Sequence, residues 1–279
     1  MIKLLTQYGK QPGRHLTEKN MKILSLFSIV LCFVYCNNFP GQTASFNYAK
    51  NVITADAAYT IGSWQYFLQH LPVKDAPIVD YRGRPVANQS KHVSIINYDI
   101  GTKDLQQCAD ALMRLRAEYL FSINKSEAIG FHFCSGLYYS WDDYCRGARP
   151  IASGNRVSLY YTKATEKTHQ SLRSYLDIVY AYANTISLCK ELKATDKFEV
   201  GTVIITPGSP GHTCIVIDES SDTNGEKIYK LAEGYMPAQS IYIVSNPYEP
   251  QISPWYHLKK GVIEIASYTF SNYVLRKFE

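Results

Sequence analysis

The chain has 279 residues, of which 46% are hydrophobic and 19% are charged, and its formal net charge is +5. Most of that positive charge lies in residues 1–44, which leaves 24 basic and 23 acidic side chains in the remainder. The near-neutral remainder excludes a strongly basic nucleic-acid-binding surface, so we predict no nucleic-acid partner. About 235 residues are enough to bury the core of one large domain.

The first predicted element is a secretory signal. An uncharged apolar run spans Ile23–Tyr35 and follows Met21 and Lys22 directly. The run is shorter than the about 20 residues that a membrane span needs, and this layout is typical of an export signal. We therefore predict that translation starts at Met21, that residues 1–44 are a leader and that residues 45–279 form a single domain. Lipid attachment at Cys36 and cleavage near Ala44 both remain open, and the lipid at Cys36 is the only membrane contact we predict.

The spacing of apolar residues predicts a mixture of helices and strands after residue 44. Because helices and strands do not alternate strictly, the pattern predicts an α+β fold with an antiparallel sheet packed against helices. The predicted elements in chain order are a helix over 63–70, strands over 78–81 and 92–98, a helix from Asp104 to about Phe121, a strand over 129–133, a short helix around Trp141, a strand over 157–161, a long helix over 170–192, a hairpin over 203–217, and strands over 228–231, 241–244, 262–265 and 268–270.

Five cysteines follow residue 44. Their odd number and the absence of paired CxxC spacing argue against a zinc site or a disulfide framework, and we predict no metal and no cofactor. Cys108, Cys189 and Cys214 lie in apolar periodic segments and are predicted to be core residues. Cys134 and Cys145 flank a loop-rich segment and are able to pair in an oxidising compartment.

The most informative stretch is the hairpin whose second strand begins at His212. Two β-branched apolar runs flank a turn built from Pro207, Gly208, Pro210 and Gly211, and His212 opens the second run. A histidine there has a fixed backbone and is partly desolvated, which suits a general base. Glu233 ends the next predicted strand and is placed to orient the imidazole.

The sequence GTVII…PGHTCIVID resembles the core of papain-like amidases of the NlpC and CHAP type, over about residues 199–244. The resemblance implies a papain-like core and a cysteine nucleophile at the N-terminus of a helix, where the dipole lowers a thiol pKa. Cys145 and Ser187 are the two candidate nucleophiles upstream of His212. Neither matches the pattern fully, because Cys145 follows two aspartates and Ser187 lies inside the predicted long helix. The alternative is a histidine that is simply hydrogen-bonded within a non-catalytic fold.

A second constellation lies on the predicted helix after Asp104. Asp110, Arg114 and Glu118 are spaced four residues apart, so they share one helical face. A solvated ladder of ion pairs is the favoured interpretation. In the functional alternative, Asp110 and Arg114 line a polar cleft that binds a carboxylate or a sugar.

A third constellation, in residues 131–155, combines aromatic rings with charged residues. Aromatic faces beside acids and arginines are suited to stacking a sugar ring and binding its hydroxyl groups, although core packing is the favoured interpretation for the rings. The candidate binding residues are Tyr138, Tyr139, Trp141, Arg146 and Arg149.

The segments KDLQQCADALMRLRAEYL, PGHTCIVID, LAEGYMPAQSIYI and SPWY resemble domain-of-unknown-function family 4846, from about Ser63 to the C-terminus. The resemblance implies an exported, often lipid-anchored protein of a Gram-negative envelope, in the periplasm or at the outer membrane. It brings no established activity, and Glu233 stands where the family is expected to have Gln.

Taken together, the sequence predicts an exported envelope protein that hydrolyses an amide or peptide bond, with cell-wall peptide as the expected substrate. His212 is the expected base, Glu233 the orienting group, and Cys145 or Ser187 the nucleophile. The alternative is a non-catalytic envelope protein that binds glycan or peptide through the aromatic segment.

Overall fold

The computed structural model describes residues 52–53 and 59–279. These residues all belong to one compact unit, Asn47–Glu279. The predicted signal, the start at Met21, the lipid site at Cys36 and the cleavage near Ala44 lie outside the described residues. Within the described residues, no helix has both the length and the apolar character needed to cross a membrane.

The chain forms five α-helices within the described residues. They are α1 (Trp64–Gln69), α2 (Cys108–Ser122), α3 (Trp141–Cys145), α4 (His169–Tyr182) and α5 (Thr185–Glu191), and Ser126–Ala128 is a 3-10 turn. The strands are β1 (Val52–Ile53), β2 (Val73–Lys74), β3 (His92–Ile96), β4 (Gly130–His132), β5 (Tyr138–Ser140), β6 (Ala148–Ser153), β7 (Arg156–Tyr161), β8 (Lys193–Ala194), β9 (Thr202–Thr206), β10 (His212–Asp222), β11 (Lys227–Glu233), β12 (Tyr242–Val244), β13 (Trp255–Tyr256), β14 (Ile263–Glu264), β15 (Thr269–Phe270) and β16 (Val274–Lys277).

The main sheet has ten strands, and its central path runs β2-β3-β12-β11-β10-β9-β16-β8. Strands β1 and β13 pair with β10 and β11 off this path, and three two-stranded sheets are formed by β4–β5, β6–β7 and β14–β15. Neighbouring strands of the main sheet pair in antiparallel fashion. The predicted α+β class with an antiparallel sheet is confirmed.

Both faces of the central strands are buried. On β9, Val203 and Ile205 pack into the core that includes the helices, whereas Ile204 between them packs into a second core with the C-terminal segment around Phe270. Side chains alternate faces along a strand, so a strand covered on both sides reads as a continuous apolar run. The hairpin therefore lies at the centre of the fold.

Helix α2 begins four residues later than the sequence pattern predicts. The Asp104 carboxylate does not cap it, because Oδ1 accepts a hydrogen bond from the backbone N–H of Ala238 at 2.7 Å. Gln107 is the N-cap instead, and its backbone N–H donates to Asp110 Oδ2 at 3.0 Å in a capping box. This shift makes Cys108 the first residue of the helix.

The predicted helix over 170–192 is two helices, α4 and α5. Asn184 interrupts it, since its side-chain oxygen accepts hydrogen bonds from the backbone N–H groups of Ile186 at 2.8 Å and Ser187 at 3.2 Å. An N-capping side chain inside a periodic stretch is the sequence signal for this break. Ser187 therefore lies in the first turn of a short helix rather than in the middle of a long one.

Candidate functional site

His212 is the first residue of β10 and pairs with Thr206 on β9. The residue before it, Gly211, has no room for a side chain: a Cβ there would lie 2.4 Å from Thr185 Oγ1 and 2.7 Å from the Thr206 carbonyl oxygen. The hydroxyl of Thr185 also donates to the carbonyl of Gly208 at 3.1 Å. The turn is thus held against the start of α5, which fixes the backbone from which His212 projects.

Glu233 lies where the sequence predicts an orienting group. Its Oε2 is 2.6 Å from His212 Nε2, and the carboxylate is fully buried at the end of β11. Tyr242, which lies opposite Glu233 on the neighbouring strand β12, donates its phenolic hydrogen to Oε1. Both carboxylate oxygens are therefore occupied, and the imidazole is held in one orientation.

Cys108 is the second side chain that acts on the His212 ring, and its interaction with the imidazole raises the pKa of His212. Its half-buried sulfur lies at the start of α2, where the partial positive charge of a helix is concentrated. Gly234 brings the two elements together, since a Cβ there would lie 2.8 Å from the Cβ of Ala111 on α2. Because Nε2 of His212 is bonded to Glu233, Nδ1 is the nitrogen that remains for the thiol. We call Cys108, His212, Glu233 and Tyr242 the thiol cluster.

The electrostatic environment favours the charged form of His212. Burial opposes that form, but the interaction with Cys108, the hydrogen bond with Glu233 and the negative charge of Glu233 outweigh it and raise the pKa of His212 to about 9. Three aromatic rings enclose the imidazole, namely those of Tyr235, Tyr268 and Phe270, at centroid distances of 5.0, 4.6 and 5.7 Å. At neutral pH the ring is therefore an imidazolium, and it lies between the Cys108 sulfur and the Glu233 carboxylate.

A cleft of about 210 Å³ opens beside Cys108, between the start of α2, the α4–α5 junction and the hairpin turn. Two of its lining side chains, Asp110 and Tyr180, are buried and each has a polar atom, Oδ1 and the phenolic oxygen respectively, without a hydrogen-bond partner among the described residues. Burial raises the pKa of Asp110 to about 8. The predicted binding residue Asp110 thus lines the same cleft as the thiol.

Cys145 and Ser187, the two nucleophiles expected from the sequence, interact with other residues. Cys145 is buried at the end of α3, where its thiol contacts Ser171 and burial raises its pKa. The hydroxyl of Ser187 donates to the carbonyl of Asn184 at 3.1 Å, within the cap of α5. Cys108, predicted to be a core residue, lies at the imidazole instead. The spacing of Gln107 and Asp110 is the capping-box signal that marks this helix start.

The other cysteines described by the structure form no disulfide. Cys134 and Cys145, which were expected to be able to pair, are both free, and Cys134 is exposed. Cys189 and Cys214 are buried, as the apolar spacing predicts.

The predicted ion-pair ladder on α2 forms only in part, and it is not solvated. Arg114 is buried with 1% of its surface exposed, and its Nε lies 2.6 Å from Glu118 Oε1. A second contact joins Arg114 Nη2 to Asp99 Oδ2 at 3.3 Å. Asp110 takes no part in these ion pairs. It accepts a hydrogen bond in the capping box of α2 and lines the cleft.

The rings of the aromatic segment are mostly unavailable to a ligand. Tyr139 and Trp141 are buried in the main core, and only Tyr138 is exposed, at 46%. The phenolic hydroxyl of Tyr139 donates to the carbonyl of Ala148 at 2.7 Å. The packing interpretation of these rings therefore agrees with the structure, and a stacking surface made of all three does not.

The arginines of the aromatic segment are bound within it. Arg146 Nη2 lies 2.5 Å from Asp143 Oδ1 on the surface of α3. The guanidinium of Arg149 stacks 3.9 Å from the ring centroid of Tyr144 and donates to the Tyr144 carbonyl at 2.8 Å. Neither lies in the cleft beside Cys108.

A second histidine with carboxylate partners lies at the far end of β10. His257 Nδ1 is 2.9 Å from Glu249 Oε1, and Nε2 is 3.3 Å from Asp222 Oδ2. Burial opposes its charged form, but the bonds to Glu249 and Asp222 raise its pKa. We call His257, Asp222 and Glu249 the carboxylate cluster. Across the described residues, no group of three or more His, Cys, Asp or Glu side chains is arranged to hold a metal ion.

A family model described as "Domain of unknown function (4846)" matches residues 53–277. The chain belongs to this family. The family membership expected from the sequence is thereby confirmed for family 4846. No curated protein and no solved structure matches the chain, so the likeness of its hairpin to papain-like amidases stays a proposal.

Proposed function

We propose that this family 4846 protein is a cysteine hydrolase that cleaves an amide or peptide bond. The observation that carries the proposal is the position of the His212 imidazole, between a thiol at the start of a helix and a buried carboxylate. In this proposal Cys108 is the nucleophile, His212 the acid and base, and Glu233 the orienting group. Cys108 takes the role that the sequence alone gave to Cys145 or Ser187.

In the first half of the reaction, the Cys108 sulfur attacks the carbonyl carbon as a thiolate, and the electron pair of the carbonyl π bond moves to oxygen. Backbone N–H groups in the first turn of α2 have no carbonyl partner within the helix and are donors for that oxyanion. When the carbonyl re-forms, the C–N bond breaks, and His212 donates its proton to the leaving amine. A thioester on Cys108 and a neutral imidazole remain.

In the second half, water attacks the thioester carbonyl while His212 takes a proton from it. The C–S bond then breaks, the carboxylic acid leaves, and Cys108 returns as the thiolate beside the imidazolium. Glu233 keeps Nε2 in place through both halves, and because of its negative charge it stabilises the imidazolium.

The arrangement supports a papain-like core as part of the same proposal. A thiol at the start of a helix, a histidine at the start of a sheet strand and an acid on the next strand follow the order that the NlpC and CHAP resemblance implies. The apolar run after Lys22 supports export, so we propose cell-wall peptide as the substrate class, in the periplasm or at the outer membrane.

The test compares Cys108→Ala with Cys145→Ala in the full chain. Cell-wall peptide fragments are incubated with each protein, and newly released amino groups are assigned by mass spectrometry. We expect Cys108→Ala to lower kcat/KM at least about 1000-fold, because the nucleophile is lost, and Cys145→Ala to retain activity.

Limited alkylation with iodoacetamide gives a readout that does not depend on the choice of substrate. Cys134 is exposed and Cys108 is half-buried, so exposure alone favours modification of Cys134. We expect Cys108 to be modified first, because the imidazolium stabilises its thiolate. Faster modification of Cys134, or hydrolysis that survives Cys108→Ala, would contradict the proposed function.

A further inference from the structure

A buried cation lies behind the thiol cluster. Lys91, just before β3, exposes only 7% of its surface. Its ammonium lies 4.6 Å from the ring centroid of Tyr235 and 5.0 Å from that of Tyr242, and it donates to Gln239 Oε1 at 3.3 Å. Tyr242 is also the residue that donates to Glu233. Lys91 therefore lies against the ring of the tyrosine that donates to Glu233, and the charge of Glu233 acts on it.

Among the described residues, none of the groups that directly contact the Lys91 ammonium carries a negative charge. Its hydrogen-bond acceptor and its two aromatic faces are neutral, and the negative charge that acts on it is that of Glu233. A buried ammonium needs a counter-charge to offset its desolvation. Burial lowers the pKa of Lys91, and the charge of Glu233 opposes that shift.

The proposed reaction creates a state in which this second cation matters. While His212 is an imidazolium, it neutralises Glu233. Once His212 has given its proton to the leaving amine, Glu233 is a fully buried carboxylate without a charged partner on its own hydrogen bonds. A buried carboxylate without a compensating charge is strongly destabilised, which would hold the proton on His212 and slow the transfer.

We infer that Lys91 is a positioning residue that gives Glu233 a second positive charge nearby after His212 has released its proton, and so sets the proton affinity of the imidazole. Lys91 acts through Glu233 and does not contact substrate. The inference rests on the proposed function for its role in catalysis, but the electrostatic effect on His212 is measurable without any substrate. The titratable groups that face this region from the surrounding elements are Cys108, Cys214, Tyr235, Tyr242, Tyr256 and Tyr268.

The test is a titration of the His212 imidazole by NMR in the full chain, with Lys91→Met, Lys91→Arg and Lys230→Met. We expect Lys91→Met to raise the pKa of His212 by about one unit, because Glu233 loses its second cation. Lys91→Arg should restore the wild-type value, since it keeps the charge. Lys230 is a matched control, because it stacks 4.2 Å from the ring of Trp255 on the same sheet but pairs with Asp218.

Rates of Cys108 alkylation over a pH series provide a second measurement. We expect the rise of the alkylation rate with pH to shift to higher pH in Lys91→Met, so that modification is about tenfold slower at a fixed acidic pH. In Lys230→Met we expect no change in the rate. If Lys91→Met does not fold, Lys91→Gln takes its place, because the amide keeps a donor for Gln239 without the charge.

The outcomes separate the two proposals. A His212 titration that is unchanged in Lys91→Met, or one that moves as far in Lys91→Arg, overturns the role of Lys91 charge. A shifted titration in a protein whose Cys108 is inert retains the electrostatic link and overturns the proposed hydrolase instead.

Discussion

The two ends of β10 carry two histidine–carboxylate pairs with different surroundings. At one end His212 contacts Glu233, a thiol and an open cleft, and at the other His257 contacts Glu249 and Asp222. The strand has 11 residues, so the pairs lie about 30 Å apart. Both histidines have a raised pKa. The comparison shows that a histidine–carboxylate pair is not enough to define a reactive site, since only the thiol cluster adds a nucleophile and space for a substrate.

The largest expected difference between the clusters concerns thiol reactivity. His212→Ala should slow alkylation of Cys108 at pH 6 about 100-fold, because the imidazolium that stabilises the thiolate is lost. His257→Ala should change the rate by less than about twofold, because it lies far away. Intact-mass spectrometry with limiting iodoacetamide measures both rates. Equal effects of the two substitutions would remove the distinction between the clusters.

The next difference concerns Asp110, a buried carboxyl group at the thiol end whose Oδ1 has no hydrogen-bond partner among the described residues. Asp110 is protonated more readily in the folded chain than in the unfolded chain, because burial raises its pKa from 3.8 to about 8. The free energy of unfolding should therefore fall as pH rises through that window, by about 2 kcal/mol between pH 6 and pH 8. Asp110→Asn keeps the cap acceptor and should abolish this slope. Urea unfolding at a series of pH values measures it, and a parallel slope in Asp110→Asn would contradict the expectation.

A smaller effect distinguishes the carboxylates that contact His212 and His257. Glu233→Gln should lower the pKa of His212 by about one unit, because a neutral amide replaces its charged partner. Glu249→Gln should lower the pKa of His257 by less, since Asp222 remains at the other nitrogen. NMR titration of both imidazoles in one sample measures the two shifts. A larger shift at His257 would mean that Glu233 is not the main support of the charged His212.

The smallest effect concerns stability at the carboxylate cluster. The folded pKa of His257 lies above its unfolded value, so the pair stabilises the fold below pH 6.5 and the contribution is lost as pH rises through the folded pKa. His257→Gln should lower the free energy of unfolding at pH 6 by at most about 1 kcal/mol, because the site is partly solvated. At pH 9 the two proteins should unfold at the same urea concentration. A difference that persists at pH 9 would point to packing instead of charge.

The sequence predicts the parts of the site that depend on local order. His212 follows a Gly/Pro turn, and Glu233 ends the next strand. Because these strands are consecutive in the chain, they pair as neighbours in the sheet. Lys91 could not be found in this way, because its position depends on β3 lying beside β12. That pairing joins segments that are far apart in the chain, and the local sequence of either segment does not predict it.

The position of Cys108 was missed for a related reason. The predicted helix start rests on Asp104 as a cap, but a backbone N–H from Ala238, 134 residues away, takes that carboxylate. The same long-range contact leaves Gln107 as the cap and exposes the thiol at the helix end. In the aromatic segment the local composition predicts a binding surface as readily as a core, and only the tertiary structure shows that Trp141 is buried.

The clasp between Thr185 and the hairpin turn makes the width of the cleft a fixed dimension of the molecule. The Thr185 hydroxyl donates to the carbonyl of Gly208 and accepts from its N–H at 3.2 Å, while Gly211 leaves no space for even a methyl group. The two walls cannot spread without breaking both bonds. We therefore expect a substrate group that is wider than the cleft to be excluded, because the walls do not move apart to admit it.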